Sequence, residues 1–391
     1  MIFSYPVAAY IHIPFCRRRC YYCDFAISIV GDSPLKENSA TVTDYVDCLC
    51  QEIKLTKPRP APLKTVFFGG GTPSLLPVKK LEKILKTIRQ CFGIAENAEI
   101  SLEIDPGTFD LAQLQEYHAI GINRLSLGIQ TFDDQLLKYC GRTHSLQDIF
   151  NAIDLIRQAG FQNFSIDLIT GLPHQTLEHC QKSLNIAVDV NPPHLSCYDL
   201  VLESVTAFGK KYQPGQSPLP TDETTAQMYR LTQKILTDQG YQHYEISNYA
   251  KSGYQCLHNK VYWKNQPYYG FGMSAASYVE GKRFSRPRTR KSYYEWVEKG
   301  AVVDTVSLNN SDHLLETLML GLRLSEGISL SMITHYFGAK TKEMIIGCLK
   351  PYIEQNLVIV EHNIEHRLKL QDPNGFLLSN SILATLFEKL A

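Results

Sequence analysis

At 391 residues the chain is too long for one hydrophobic core of usual size and suits a large domain with one or two smaller ones. Its 39 Lys and Arg balance its 39 Asp and Glu, which removes any global basic field for nucleic acid and any acidic solvating tail, so a small molecule or a protein is the expected partner. Eleven cysteines, an odd number and mostly scattered singly, do not read as a secreted disulfide framework, and no apolar run reaches membrane length, so a reducing cytoplasm is expected.

The opening "MIFSYPVAAYIHIPF" lacks a basic leader region and contains Pro6, His12 and Pro14, so it reads as the approach to a strand rather than as a signal. From residue 7 to about 203, short apolar runs alternate with helical periodicity, the pattern of βα units on a parallel sheet. The strand-like runs are 7–13, 64–70, 99–104, 123–129, 164–170 and 194–200; the helical ones are 42–55, 78–92, 111–121, 145–160 and 176–189. Six such strands make a partial barrel, two short of a full eight. The Pro- and Gly-rich stretch 210–223 reads as a loop, followed by a helix (222–239), a strand (241–246) and an aromatic-rich segment to about 300. Beyond residue 309, short helices and two β-like runs (357–361 and 366–371) predict a small α+β module resembling a winged helix.

Directly after the first strand stands "CRRRCYYCDF", with Cys16, Cys20 and Cys23 on one short loop at what would be the barrel mouth. Three thiols at C-x₃-C-x₂-C suit a [4Fe-4S] cube with one iron left open, whereas structural zinc wants four ligands. Zinc completed by His12 or Asp24, and three unrelated thiols, are the competing readings. Phe25, where a fourth thiol could stand, keeps the open corner open. Cys48, Cys50, Cys91, Cys140, Cys180, Cys197 and Cys348 read as small buried apolar residues.

The turn "GGGTPS" (69–74) lets backbone approach a ligand closely, though a Gly-rich βα turn is often only a turn. Glu103 and Asp105 end the third strand, Gln130 ends the fourth and Asp167 sits in the fifth. Such residues are commonly helix caps, yet four strands would here deliver polar groups to one face.

With the stretches "YIHIPFCRRRCYYCDF", "FFGGGTPS", "RLSLGIQTF", "GRTHS", "DLITGLPHQT" and "HLSCYDL", the chain resembles the radical S-adenosylmethionine (SAM) enzymes, in the branch similar to coproporphyrinogen III oxidases. The resemblance is close over 7–203, moderate over 244–278 and loose beyond. It implies an α/β fold, a partial (β/α)₆ TIM-like barrel, in three parts: the barrel with its cluster loop (1–210), a barrel extension (211–305) and a C-terminal α+β region (306–391). It further implies that Cys16, Cys20 and Cys23 hold the cluster and that Tyr10, Tyr22, Gly70, Gly71, Thr72, Glu103, Gln130, Arg142, Asp167 and Ala276 surround SAM. In that reading Glu103 accepts from an ammonium, Arg142 pairs with a carboxylate and Asp167 takes ribose hydroxyls.

Two functions of that branch compete: radical oxidative decarboxylation of a porphyrinogen, or a related methyltransferase, against a haem chaperone that passes haem to an acceptor protein. Phe25 in place of the oxidases' fourth cysteine, the short run ahead of the first strand, and "HNKVYW" (258–263) all favour the chaperone, without coproporphyrinogen oxidase activity. His258 beside Tyr262 and Trp263 is a candidate axial haem ligand, with Cys256 as a competing thiolate and a packed core histidine as the plain alternative. The basic run 282–296 reads as a solvated loop, or as a partner for haem propionates through Arg286, Arg288 and Arg290. The partners implied are haem, an acceptor haemoprotein such as a membrane-associated respiratory enzyme, and a second copy of the chain; nucleic acid is not among them.

Overall fold

The structure, a computed structural model, describes residues 5–32, 35–303, 309–361 and 366–390; the expected boundary at 305/306 lies outside them. Six parallel strands run side by side in chain order: Ala8–Ile13, Leu63–Gly70, Ile94–Ile104, Arg124–Gln130, Phe164–Thr170 and His194–Asp199. They are called the first to sixth strands below. A seventh parallel strand, Tyr269–Phe271, pairs with the first, and two antiparallel strands, Asn248–Ala250 and Gln242–Glu245, extend the sheet beyond the sixth. This is the parallel α/β sheet that the resemblance implies.

The third strand begins five residues earlier than the apolar run at 99 predicts, because Leu63 pairs with Ile94 before the register shifts to Thr65 opposite Glu99. The seventh strand comes from the aromatic-rich segment that shows no clear period in sequence.

The parallel strands alternate, apart from register shifts at Leu63/Thr65 and Gly128/Gln130. Along the fourth, Leu125, Leu127 and Ile129 point outward into the core shared with the helices, while Arg124, Ser126, Gly128 and Gln130 line a central cavity. The fifth repeats this, with Phe164, Ile166 and Leu168 outward and Asp167 inward; in the sixth Leu195 and Cys197 face out and Ser196 and Tyr198 face in. A barrel filled by its own side chains carries bulky branched residues inside. Here most inward positions are polar or Gly, with Phe67 and Ile169 as apolar exceptions, so the barrel encloses a ligand cavity instead of a second core.

The outer helices are Ala40–Leu55, Val78–Phe92, Leu111–Ala119, Leu146–Gln158, Leu177–Val190 and Asp222–Asp238, close to the predicted spans. Two begin in reciprocal capping boxes, Ser145 with Asp148 and Thr176 with His179, which satisfy N–H groups the helix itself leaves free. The C-terminal region has its own core, including Leu318, Ile333, Leu349 and Leu386, around a three-stranded antiparallel sheet of Ile328–Ser329, Arg367–Leu370 and Val358–Val360. Backbone hydrogen bonds from Ile246 to Arg323 and from Ser325 to Tyr244 tie it to the edge of the large sheet.

Candidate functional site

The cavity, about 600 Å³, opens at the C-terminal ends of the parallel strands and is walled at its mouth by the cysteine loop. Cys16 is buried and Cys20 and Cys23 are partly exposed, all three as free thiols facing the same space. The loop is held from several sides. Tyr21 N–H donates to Cys140 O (3.0 Å), Cys23 N–H to Cys20 O (3.2 Å), and the Arg19 guanidinium to the carbonyls of Cys23 and Phe25 (both 3.2 Å). Val30 N–H returns to Cys16 O at 2.9 Å.

His12, weighed above as a fourth zinc ligand, is spent: one ring nitrogen bonds Ala26 O (2.8 Å) and the other the Tyr10 hydroxyl (3.1 Å). Among the described residues no three His, Cys, Asp or Glu side chains converge as ligands of one metal ion do. Ligands of a cube, each bound to a different iron, need no such convergence. Two donors face the sulfurs: Arg142 Nη1 donates to Cys20 Sγ (3.5 Å), and the one Thr72 hydroxyl proton is shared between Cys16 Sγ (3.7 Å) and the Asp105 carboxylate. Burial pushes the Cys16 thiol up to about 12, so it keeps its proton until a metal displaces it.

The glycine turn belongs to the same construction, and the chain's own packing gives it a second reason beside the close approach of a ligand. Gly71 N–H donates to Ile13 O (2.8 Å) and Thr72 N–H to Phe15 O (2.7 Å), laying the end of the second strand on the start of the cysteine loop. A Cβ on Gly71 would stand 2.7 Å from Phe15 O and 2.8 Å from Pro14 C; one on Gly70, whose φ is +112°, would stand 2.4 Å from the His12 ring. These glycines are required by the chain's own packing.

Around the mouth, Arg142 donates to Asp105 Oδ1 (2.6 Å) and Gly128 O (2.7 Å), and Thr72 to Asp105 Oδ2 (3.2 Å). Burial opposes the Arg142 charge, but Asp105, Tyr22 and Cys20 together hold its pKa above the usual value. Arg142, expected to pair with a ligand carboxylate, also has a carboxylate partner within the chain, Asp105. Glu103 accepts from Gly70 N–H (2.9 Å), and its burial raises it to about 8. Asp167 accepts from Ser126 (2.8 Å) and Ser165 (2.9 Å) and is likewise raised by burial. Gln130, at the lip, has a φ of +69°, strain of the kind that collects at binding sites.

Of the expected cluster and SAM residues and His258, all but Ala276 line this one cavity, whereas His12, Cys256, Arg286, Arg288 and Arg290 do not. Ala276 lies in the hairpin Ala276–Val279/Lys282–Ser285, where it opposes Ser285.

The floor is closed by the helix Leu257–Trp263, whose first turn is capped by Glu99 of the third strand; that carboxylate accepts from the N–H groups of Leu257 and His258, each at 3.0 Å. His258 shares hydrogen bonds with Thr65 Oγ1 (2.8 Å) and the Tyr262 hydroxyl (2.7 Å) and stacks on Phe67. Only 1% exposed, it is pushed by burial, and then by Arg124, down to about 3. Both ring nitrogens are occupied, as in a packed core histidine. Cys256 is fully enclosed beside Glu99.

Arg286 does not reach out toward a propionate. It is buried in an ion pair with Glu52 (2.7 Å), which also accepts from Tyr293 OH (2.6 Å) and Gly272 N–H (2.8 Å). Sequence reading missed Arg124, Ser126 and Ser196 on the cavity wall, although "NRLSLGIQ" carries the signal in its period-2 alternation.

Compared with known proteins, residues 10–187 match the Radical SAM superfamily and residues 308–372 the HemN C-terminal domain. The chain is 47% identical to "Heme chaperone HemW" of Synechocystis sp., over 98% of this chain and 97% of that relative. With the protein of the same name in Bacillus subtilis it shares 35% identity, over 98% and 100%. Among solved structures it resembles coproporphyrinogen III oxidase (HemN) of Escherichia coli, described as a radical SAM enzyme, with a TM-score of 0.82 and 25% identity over 98% of this chain and 90% of that one.

Proposed function

The chain belongs to the HemW haem chaperones of the radical SAM superfamily, and from that premise we propose that it binds haem and hands it to an acceptor haemoprotein, with a [4Fe-4S] cluster and SAM held at the cavity mouth. The observation that carries this reading is the convergence of three free thiols, two sulfur-facing donors and a polar-walled cavity on one opening. The donor set fits the cluster: three thiols on one loop, no fourth thiol in it, and Phe25 exposed where that thiol would stand.

When bound, the cluster supplies an open iron that chelates the amino and carboxylate groups of SAM. The chain's residues do the rest. Cys16, Cys20 and Cys23 ligate iron, and Thr72 and Arg142 donate to their sulfurs, which stabilises thiolate charge. Glu103 accepts from the ligand's amino group, Asp167 from its ribose hydroxyls, and Tyr10, Tyr22 and Gln130 wall it in. We assign His258 to the floor rather than to iron, because ligation would strand Thr65 or Tyr262 without its present partner. Exposed Phe25, Tyr198 and Val201 form an apolar rim at the mouth, suited to a flat macrocycle or an acceptor protein. The acceptor in this reading is a haemoprotein, such as a membrane-associated respiratory enzyme, and a cluster-dependent homodimer is part of it. Among the described residues no helix is long and apolar enough to cross a membrane.

The test uses anaerobically reconstituted full-length chain. One haem per chain with a Soret band, delivered to an apo-haemoprotein, is expected. The likeness to HemN favours the oxidase as second reading, and substantial conversion of coproporphyrinogen III to protoporphyrinogen with SAM and reductant would overturn the chaperone assignment.

A further inference from the structure

Arg124 opens the fourth strand, opposite Ser101, and its side chain faces the cavity floor beside Ser126, Asp167, Ser196 and His258. It is 2% exposed, among the largest fully buried side chains of the protein, and its Nε has no hydrogen-bond partner. No ion pair joins it to a carboxylate among the described residues. The three acids whose charges reach it are committed elsewhere, Glu103 by accepting from Gly70 N–H (2.9 Å). Glu99 caps the helix Leu257–Trp263 and also faces Cys256 Sγ (3.7 Å), while Asp167 holds the hydroxyls of Ser126 and Ser165.

A buried guanidinium with an idle donor is costly to keep, and a fork of five N–H groups is matched best by a carboxylate. The other arginines lining the cavity sit at its mouth: Arg142 is satisfied by Asp105 and Gly128, Arg18 pairs with Asp32 and Arg17 donates to Gly107 O. Arg124 lies four residues before Gly128 on the strand, about 13 Å deeper at the usual rise. The floor is therefore a second anion position, separate from the mouth.

We propose that Arg124 anchors a carboxylate of the ligand that enters this cavity. Resting on the haem reading above, that carboxylate is a propionate of the tetrapyrrole. Ser126 and Ser196 flank the position, but their hydroxyls are turned to Asp167, so the guanidinium alone reads the carboxylate. The ring enters edge-on with its acid leading and the arginine reads that acid, so the ester of the same ring lacks the anchor.

The experiment titrates the reconstituted full chain with haem and with haem dimethyl ester, following the Soret band, for wild type, Arg124→Gln and Arg124→Lys. Wild type is expected to prefer the diacid by about ten- to a hundredfold, the range of a charged hydrogen bond. Arg124→Gln is expected to lose that preference while ester affinity and iron content stay unchanged. Equal diacid and ester affinities in wild type, or the same preference in Arg124→Gln, would overturn the proposal. If Arg124→Gln does not fold, Arg124→Lys decides, since it keeps charge without the fork and a preference equal to wild type would overturn it. Haem transfer to an apo-haemoprotein is read separately. Transfer without diacid preference removes the anchor alone, and preference without transfer removes the chaperone reading alone.

Discussion

Replacing Gly71 by Ala tests how tightly the cysteine loop is seated. The added methyl would stand 2.7, 2.8 and 2.9 Å from Phe15 O, Pro14 C and Ile13 O, all backbone atoms that cannot rotate away. Reaching ordinary contact at 3.4 Å requires a shift of about 0.7 Å between the second strand's end and the loop. The hydrogen bonds from Gly71 to Ile13 (2.8 Å) and from Thr72 to Phe15 (2.7 Å) would then stretch past useful length. Overpacking and two weakened bonds together cost about 2–4 kcal/mol. Because Cys16 follows Phe15 directly, the displacement falls on a thiol. Urea melts of the metal-free chain and iron and sulfide assays after reconstitution should therefore both drop. Gly347→Ala is the contrast: it sits in the helix Ala339–Glu354 with nothing within 4 Å of an added Cβ, and should gain about 0.5–1 kcal/mol. A Gly71→Ala chain that melts at the wild-type urea concentration and loads full iron would refute the seating.

Three more outcomes are expected. Glu103, raised from 4.5 to about 8, keeps in the folded chain a proton that the unfolded chain has released, so it costs stability increasingly as pH rises from 4.5 through 8, at about 1.4 kcal/mol per unit. Glu103→Gln should thus be more stable than wild type by about 3 kcal/mol at pH 7 and equal to it near pH 4; a gap independent of pH in urea melts refutes this. His258, lowered from 6.5 to about 3, acts with opposite sign: its contribution is full above pH 6.5 and is lost as pH falls toward 3. The deficit of His258→Gln relative to wild type should shrink by about 2 kcal/mol between pH 6.5 and 5, and a constant deficit would count against a neutral buried ring. Arg286→Met should cost about 3–5 kcal/mol by stranding the Glu52 carboxylate and leave haem affinity unchanged, whereas weakened haem binding would restore the propionate role that its burial denies.

The six strands, their helices and the cysteine loop are legible in sequence because each rests on local pattern: period 2, period 3.6, and three thiols within a stretch of eight residues. What lies beyond local pattern is pairing across the chain. Arg142 and Asp105 are 37 residues apart, Arg286 and Glu52 are 234 apart, and nothing in either neighbourhood marks one as the other's partner. The basic run 282–296 looks solvated for that reason, although Arg286 within it is enclosed. Tyr269–Phe271 is only three residues long, too short for periodicity, and becomes a strand because the first strand offers it an open edge. The polar wall is an intermediate case, since "NRLSLGIQ" shows the alternation plainly but only the neighbouring strands reveal which side is enclosed.

The base of the chamber is built from a helix that emerges more than fifty residues after the sixth strand, and the strand that flanks Ala8–Ile13 on its far side comes later still. During synthesis, then, the sheet is laid down as an unsealed trough, wet from beneath, with Glu99 lacking the amide groups it will eventually cradle. Order of manufacture and order of closure are decoupled, and a nascent chain halted near residue 250 should offer its ionisable lining to solvent from both ends.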